Sequence, residues 1–211
     1  MPRRLITLAP MIDAAQPLET LVAAYCPLPE EGGGTTACGD VVVLRGGHGA
    51  LSEGLSILEP LLPESMPAWV WWNGCIDEAP ELMQRLTSAP RRLIIDTAMG
   101  DPHRCLELLR SRVESGQAVN DLNWLRLRSW RETLAMAFDP PQTRDALSHI
   151  TRLDIDVEGH HPAQGLLLAA WIADRLGWTL VSKAAVEDGT TALFKRSDGT
   201  EVTFQLMAVA T

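Results

Sequence analysis

Residues 41–62 read VVVLRGGHGALSEGLSILEPLL, a short apolar run followed by a glycine-rich turn and a longer run of regularly spaced leucines. Val41 to Leu44 is rich in β-branched residues and predicts a strand. From Ala50 to Leu62 the leucines recur every three or four residues, which places them on one face of a helix. That face must pack on another layer, and a sheet is the obvious one. The stretch therefore predicts a layered α/β fold.

The sequence on both sides of this stretch continues the alternation. Upstream, Arg4 to Leu8 predicts a strand, Leu18 to Ala24 predicts a helix, and Glu30 to Thr36 predicts a glycine-rich loop. Downstream, two more strands alternate with two helices, at Ala68–Trp72, Pro80–Leu86, Arg92–Asp96 and Arg104–Ser115. Because strands that alternate with helices need crossover connections, we expect a mainly parallel sheet with flanking helices.

A different helix opens the second half of the chain. Ser129 and Glu132 have the spacing of a capping box and predict its start. Trp130, Leu134 and Phe138 then recur every fourth residue, until an Asp-Pro-Pro sequence ends the helix. We interpret this stripe of three apolar side chains as part of the core.

The remaining sequence predicts a smaller α+β part. Thr151 to Glu158 alternates apolar and charged residues, as in a strand with one buried face, and a helix opens at Pro162 and closes at Gly177. Three strands follow as an antiparallel meander with Asp-Gly turns, at Thr179–Val186, Thr190–Lys195 and Thr200–Val209. The change of pattern indicates two subdomains, residues 1–118 and residues 119–211.

Composition excludes several classes of protein. The chain has 211 residues, 46% of them hydrophobic, and a formal net charge of −9. Nucleic acid is held by clustered Lys and Arg, so we expect no nucleic-acid partner. No segment has the roughly 20 apolar residues of a membrane helix. The run after Arg3 and Arg4 is too short for a signal peptide, so we expect a cytoplasmic protein that binds no membrane.

Two motifs resemble ligand-binding sites, but each also has a simpler structural interpretation. Gly46, Gly47 and Gly49 lie between a strand and a helix, where backbone N–H groups can hold a phosphate, although the spacing matches no dinucleotide or P-loop motif. We interpret them first as a turn. Metal-ligand atoms occur close together in Asp156, Glu158, His160 and His161, but neighbouring side chains on a strand point to opposite faces. We therefore expect no metal site.

The sequence contains no assembled catalytic group. There is no nucleophile elbow, and Asp96, at the end of a strand, is interpreted as the cap of the following turn. Four cysteines, Cys26, Cys38, Cys75 and Cys105, are candidates for redox control, but none forms a Cys-x-x-Cys pair. Isolated thiols are typical of a reducing compartment. We expect a protein that is not an enzyme and needs no cofactor.

Tryptophan is unusually frequent: the chain has seven Trp, three Phe and one Tyr. Trp69 and Trp71 share one face of a strand, whereas Trp72 points to the other. Buried packing is the simplest interpretation, although tryptophan is also enriched at protein interfaces. Counting Phe138 with them, we expect structural roles for Trp69, Trp71, Trp72, Trp130, Phe138, Trp171 and Trp178.

Several blocks, in this order along most of the chain, resemble one known family. DLNWLRLRSWRETLA at residues 121–135, followed by FDPP at 138–141, is similar to the most distinctive block of the OpcA family. LLPESMPAWVWW at residues 61–72 resembles its leucine-rich helix, proline turn and tryptophan strand. The segments RLIIDT and AAWIADRLGW resemble its next strand and its late helix, at residues 92–97 and 169–178.

The resemblance implies a function that the residues alone do not. Members of the OpcA family promote the oligomeric, active form of glucose-6-phosphate dehydrogenase, the first enzyme of the oxidative pentose phosphate pathway. The resemblance therefore implies a protein effector with the dehydrogenase as its partner, and no catalytic residue is carried over. It also implies thioredoxin-linked control, and a longer N-terminal region than this sequence has. The alternative is a small α/β enzyme or sensor that binds a sugar phosphate or nucleotide at Gly46–Gly49.

The segment from Asp121 to Phe138 carries the most distinctive block, and we expect it to be the most consequential for partner binding. Arginine is favoured at interfaces because its guanidinium pairs with carboxylates through two hydrogen bonds. The candidate partner-binding residues are Arg126, Arg128, Arg131, Asp121 and Trp124.

Overall fold

The computed structural model describes residues 3–26, 38–62, 67–76, 78–87, 91–159, 162–187 and 189–209. The chain divides into two compact units: Met1–Val70 with Glu78–Arg91, and Trp71–Asp77 with Arg92–Thr211. Parallel strands with flanking helices come first and an antiparallel meander comes last, so the predicted fold class is confirmed. The predicted subdomain boundary at residue 118 stays a prediction.

The described residues of the first unit form a three-stranded sheet and the helices around it. In chain order they are β1 (Arg3–Pro10), β2 (Glu19–Tyr25), β3 (Gly39–Gly46), α1 (His48–Leu58) with a 3₁₀ turn at Glu59–Leu61, and α2 (Pro80–Thr87). The sheet order is β1-β3-β2, with β1 parallel and β2 antiparallel to β3. Leu44 and Leu51 are almost fully buried where α1 covers one face of this sheet.

The predicted helix from Leu18 to Ala24 is wrong, because these residues form most of strand β2. The run Leu-Val-Ala-Ala suits a helix or a strand about equally well by local preference. Each residue of β2 has a partner on β3, from Glu19 opposite Arg45 to Tyr25 opposite Gly39. The backbone bonds of this long-range pairing override local helix propensity.

Another small sheet has the order β4-β5-β6. The division between the units falls within β4 (Trp69–Trp71), after Val70. Strand β5 is Arg92–Ile95, and α3 (Pro102–Glu114) ends before Gly116, whose φ is +72°. Strand β6 (Val119–Asp121) runs parallel to β5 and was not predicted, because three residues are too few to show a period.

Two helices follow β6 directly, α4 (Leu122–Arg126) and α5 (Arg128–Phe138). The predicted capping box is wrong: the helical path begins at Asp121, whose side chain caps α4, and α5 has no side-chain cap. Glu132 forms an ion pair with Arg128 and does not reach back to a backbone N–H. Helix α5 ends at Phe138, as the Asp-Pro-Pro sequence predicted, and α6 (Pro141–Arg144) and a 3₁₀ turn (Asp145–His149) follow.

The chain ends in a four-stranded sheet of order β7-β10-β9-β8. Its elements are β7 (Arg152–Glu158), α7 (Pro162–Arg175), β8 (Thr179–Val186), β9 (Gly189–Lys195) and β10 (Glu201–Val209). β8, β9 and β10 are the predicted antiparallel meander, and Gly199 has the predicted left-handed φ, +88°. In the other predicted turn, Asp188 lies outside the described residues. Gly189 is the first residue of β9 and lacks the positive φ that the turn prediction required, so the prediction is wrong for this glycine.

The core of this unit lies between α7 and the four-stranded sheet. The ring centroid of Trp178 lies 6.1 Å from that of Phe194 in a tilted arrangement, and the centroid of Phe194 lies 6.2 Å from that of Phe204, edge to face. Gly165 lets the helix approach the sheet, since a Cβ there would lie 2.4 Å from Leu206 Cδ1. The edge strand β8 carries a bulge and an exposed Lys183, two features that discourage pairing with another strand.

Candidate functional site

Asp121, the first candidate residue, is a structural anchor. It ends β6, is only 6% exposed, and accepts hydrogen bonds from the backbone N–H groups of Asn123 and Trp124, each at 3.1 Å. Its carboxylate also accepts the backbone N–H and the hydroxyl of Thr97, each at 3.0 Å. Four donors therefore converge on one buried carboxylate, which joins the ends of β5 and β6 to the start of α4.

Arg126 is held by an ion pair. Its two terminal nitrogens donate to the two carboxylate oxygens of Asp96, at 2.8 and 2.6 Å. The Asp96 side chain is 12% exposed, and the hydrogen bonds raise the pKa of Arg126 above its usual value. Asp96 also accepts the backbone N–H of Ala98, so its predicted role as a cap of the turn after β5 is confirmed.

Arg131 packs on the helix that precedes it. Its guanidinium carbon lies 3.5 Å from the centre of the Trp124 ring, and Nη2 donates to the Trp124 carbonyl at 3.3 Å. Both side chains are partly buried. A guanidinium over an indole face is a favourable cation–π contact, so this pair fixes α5 against α4.

Arg128 differs from the other two arginines because it is largely in solvent. Its side chain is 73% exposed, and its ion-pair partner Glu132, at 2.8 Å and one helical turn away, is 58% exposed. The hydrogen bond to Glu132 raises the pKa of Arg128. Exposed pairs of this kind contribute little to stability, so Arg128 can exchange Glu132 for a carboxylate of another molecule.

The interpretation of the Trp130 stripe as core is wrong for its largest member. Trp130 is 60% exposed, Leu125 is 57% exposed and Met136 is 72% exposed, whereas Leu134 and Phe138 are partly buried. No residue of α5 is fully buried. Helical periodicity identified an apolar face but not whether anything covers it. We call the exposed residues Leu125, Arg128, Trp130 and Met136 the α4–α5 surface.

The other aromatic candidates divide between core and surface. Trp178 is buried, Trp72 and Trp171 are partly buried, and Trp72 Nε1 donates to the carbonyl of Cys75. Trp69 and Trp71 are 55% and 63% exposed, so the expectation that they pack in the core is wrong.

The glycines at the start of α1 are explained by backbone packing. Gly47 N–H donates to the carbonyl of Gln16, and a Cβ on Gly47 would lie 2.0 Å from the carbonyl oxygen of Ala14. Gly46 likewise lies close to Pro17, whereas a Cβ on Gly49 would meet nothing. The turn interpretation therefore accounts for Gly46 and Gly47, and phosphate binding at this loop stays a prediction.

Two of the four cysteines form a pair that the sequence spacing did not indicate. Cys26 follows β2 and Cys38 precedes β3, and their sulfurs form a disulfide with the Cα atoms 4.3 Å apart. The description of these two as isolated thiols is therefore wrong, because antiparallel pairing of β2 and β3 brings residues 12 apart together. Cys75 and Cys105 are free thiols, and Cys105 is buried.

No metal cluster is found among the described residues. His160 and His161 lie outside them, so that part of the metal hypothesis is not described by the structure. Two shallow depressions, of about 470 and 320 Å³, lie at the four-stranded sheet, and neither is lined by a candidate site residue. None of the helices in the described ranges is long and apolar enough to cross a membrane.

The different environments of Arg126 and Arg128 give a direct prediction. Arg126→Glu places two carboxylates together at Asp96, and we expect it to lower the free energy of unfolding by about 1–2 kcal/mol, allowing for solvent screening. Arg128→Glu should leave stability close to that of the wild type. Urea denaturation of both variants measures the difference. Equal midpoints would show that the Asp96 pair does not support the fold.

Comparison with known proteins covers nearly the whole chain. Residues 1–111 match the family model for the N-terminal domain of the glucose-6-phosphate dehydrogenase subunit. Residues 117–211 match the family model for the C-terminal domain of the same subunit. Together the two matched ranges contain the β1-β3-β2 sheet, the β4-β5-β6 sheet and the four-stranded sheet.

Curated relatives named OxPP cycle protein OpcA occur in cyanobacteria. The chain is 36% identical over 182 residues to the one from Synechocystis, which is 86% of this chain and 38% of the relative. It is 36% identical over 183 residues to the one from Synechococcus elongatus and over 182 residues to the one from Nostoc punctiforme, again 86% of this chain, and 41% and 39% of those relatives. The chain thus spans about two fifths of the length of these relatives. The family models and these identities show that the chain belongs to the OpcA family.

Proposed function

We propose that this protein binds glucose-6-phosphate dehydrogenase, promotes its assembly and raises its activity, without catalysing a reaction itself. The observation that carries this proposal is the match of both halves of the chain to domains named for a subunit of that dehydrogenase. The names of the cyanobacterial relatives refer to the OxPP cycle, which supports the same partner. The proposed effector is cytoplasmic and needs no cofactor.

The α4–α5 surface is the part of the second unit that we propose as a contact with the dehydrogenase. Trp130 and Arg128 are two residues apart on α5 and project to different sides of the helix, so each is a candidate contact on its own. The tryptophan is exposed and the partner of the arginine is weakly held, and Trp and Arg are the residues most enriched at the energetic centres of interfaces. The other candidate residues shape this surface, because their hydrogen bonds and ring contact fix α4 and α5; they are Arg126, Arg131, Asp121 and Trp124. Arg128 and Trp130 are the proposed direct contacts.

A reconstitution experiment tests the function. The dehydrogenase from the same source is purified alone and mixed with increasing amounts of the full chain, and the rate of NADP reduction is measured at limiting glucose 6-phosphate. We expect the rate to rise and saturate, and sedimentation velocity to show a larger complex. The chain alone should neither reduce NADP nor hydrolyse phosphate esters, because no nucleophile, base and cofactor loop come together in its described part.

Two results would contradict the proposal. If the dehydrogenase sediments and turns over identically with and without the chain, the effector function is wrong. Turnover by the chain alone, kept through repurification and abolished by one substitution, would show that the protein is an enzyme.

A further inference from the structure

The sheet of the first unit has apolar side chains on both faces. Helix α1 lies on the face of Val42 and Leu44: a Cβ on Gly54 of α1 would lie 3.7 Å from Leu44 Cδ1. Since side chains alternate along a strand, Val41 and Val43 point to the opposite face. That opposite face is therefore apolar along the central strand as well.

The neighbouring strands extend this apolar face. Val41 lies opposite Leu5 on β1 and Ala23 on β2, and Val43 lies opposite Thr7 and Leu21. Tyr25, beside Gly39, continues the face towards one end of β2. Paired residues of adjacent strands share a face of the sheet. We call these residues the outer sheet face: Leu5, Thr7, Leu21, Ala23, Tyr25, Val41 and Val43.

The described part of the chain leaves the outer sheet face largely uncovered. Leu5 is 60% exposed, Leu21 is 62% exposed and Tyr25 is 66% exposed. Strands that are apolar on both sides are typical of sheets covered on both faces, whereas a sheet face left in water normally carries polar residues. An uncovered apolar face that spans three strands is typical of a surface that a protein partner covers.

Charge decides which partner is the better candidate. At one end of the apolar rows, Arg45 and Glu19 lie opposite each other on the same face, so their charges cancel. The whole chain, however, carries a net charge of −9, so two copies repel each other as they approach. A different protein, whose net charge does not match that of this chain, is not repelled in this way and is therefore a better candidate than a second copy.

We propose that the outer sheet face is a docking surface for glucose-6-phosphate dehydrogenase, and that the dehydrogenase meets it with an apolar patch. This inference rests on the proposed function and adds a second contact, in the first unit, to the α4–α5 surface of the second. Leu5, Leu21 and Tyr25 supply the large side chains that lose water on binding, and Val41 and Val43 form the floor between them.

Strand β2 offers a matched pair of variants. Leu21 and its neighbour Val22 are 62% and 68% exposed on the same strand but on opposite faces, so Leu21→Lys alters the outer sheet face and Val22→Lys does not. We expect Leu21→Lys to weaken binding of the purified dehydrogenase about tenfold or more, the effect of losing a central contact. Val22→Lys should bind within about twofold of the wild type, because it lies outside the contact. Leu5→Lys, on β1, provides a second change on the outer sheet face.

Affinity is measured by titrating the dehydrogenase with labelled full-length chain, after circular dichroism has shown that each variant is folded. Sedimentation equilibrium of the chain alone, wild type and Leu21→Lys, shows whether a second copy covers the face; we expect a monomer of 23.1 kDa in both cases. A wild-type dimer that Leu21→Lys dissociates would overturn the choice of partner.

The remaining outcomes separate this inference from the proposed function. If the wild type binds the dehydrogenase and both outer-face variants bind it equally well, the outer sheet face is not the contact, although the function stands. If Val22→Lys loses as much affinity as Leu21→Lys, the effect is not specific to one face and the inference is wrong. If the wild type itself does not bind the dehydrogenase, the proposed function and this inference fail together.

Discussion

Asp121→Ala is expected to lower the free energy of unfolding by about 3–5 kcal/mol, because it leaves several buried donors without a partner at once. The carboxylate accepts the backbone N–H and the hydroxyl of Thr97, and the backbone N–H groups of Asn123 and Trp124. Thr97 and Asn123 are each about 1% exposed, so water cannot replace the lost acceptor without opening the structure. Urea denaturation followed by circular dichroism measures the loss.

The chain contains a matched control for this change. Asp101 also caps a helix, but it is exposed, and among the described residues its side chain accepts only the backbone N–H of Arg104. Asp101→Ala should cost about 1 kcal/mol, the usual value of a helix cap. Asp121→Asn, which keeps one acceptor oxygen, should lie between the two alanine variants. If Asp121→Ala costs no more than Asp101→Ala, the four hydrogen bonds do not act as a structural anchor.

Local patterns predicted the elements whose stability depends on their own sequence. Strand β7 alternates apolar and charged residues over its whole length, and Gly199 supplies the turn between β9 and β10. Helix α3 ends at a glycine in the left-handed region. Strand β2 was missed because its pattern fits a helix equally well, and only its pairing with β3 decides the outcome. Pairing partners distant in sequence leave no local periodicity.

The candidate site shows the same division between local and tertiary information. The family block directed attention to the segment that we propose as an interface, and its arginines have the chemistry of interface residues. Arg126, however, pairs with Asp96, which is 30 residues away, so its structural role is invisible in the sequence. Trp130 has the spacing of a core residue and is exposed, because periodicity reports a face and not its neighbour. The Cys26–Cys38 bond likewise depends on the register of two strands.

Trp130→Ala is expected to weaken the complex with the dehydrogenase by about 2 kcal/mol or more, which is about 30-fold in Kd. The side chain is 60% exposed in the free protein, so a partner that covers it removes a large apolar ring from water. The same exposure means that the folded protein alone gains little from the ring, and stability should change by less than about 1 kcal/mol. Titration of the dehydrogenase with wild-type and variant chains measures Kd, and urea denaturation checks the fold.

Trp71 is the control that makes this prediction specific. It is 63% exposed, on strand β4, so Trp71→Ala removes an equally exposed ring from another element. If Trp130 is a direct contact, its loss should raise Kd and the loss of Trp71 should leave Kd unchanged. The reverse result would move the docking site to β4, and equal losses would show that any exposed tryptophan has the same effect. If the Trp130→Ala variant activates the dehydrogenase at the same concentrations as the wild-type chain does, the α4–α5 surface is not part of the interface. No other side chain of that surface can bury as much area.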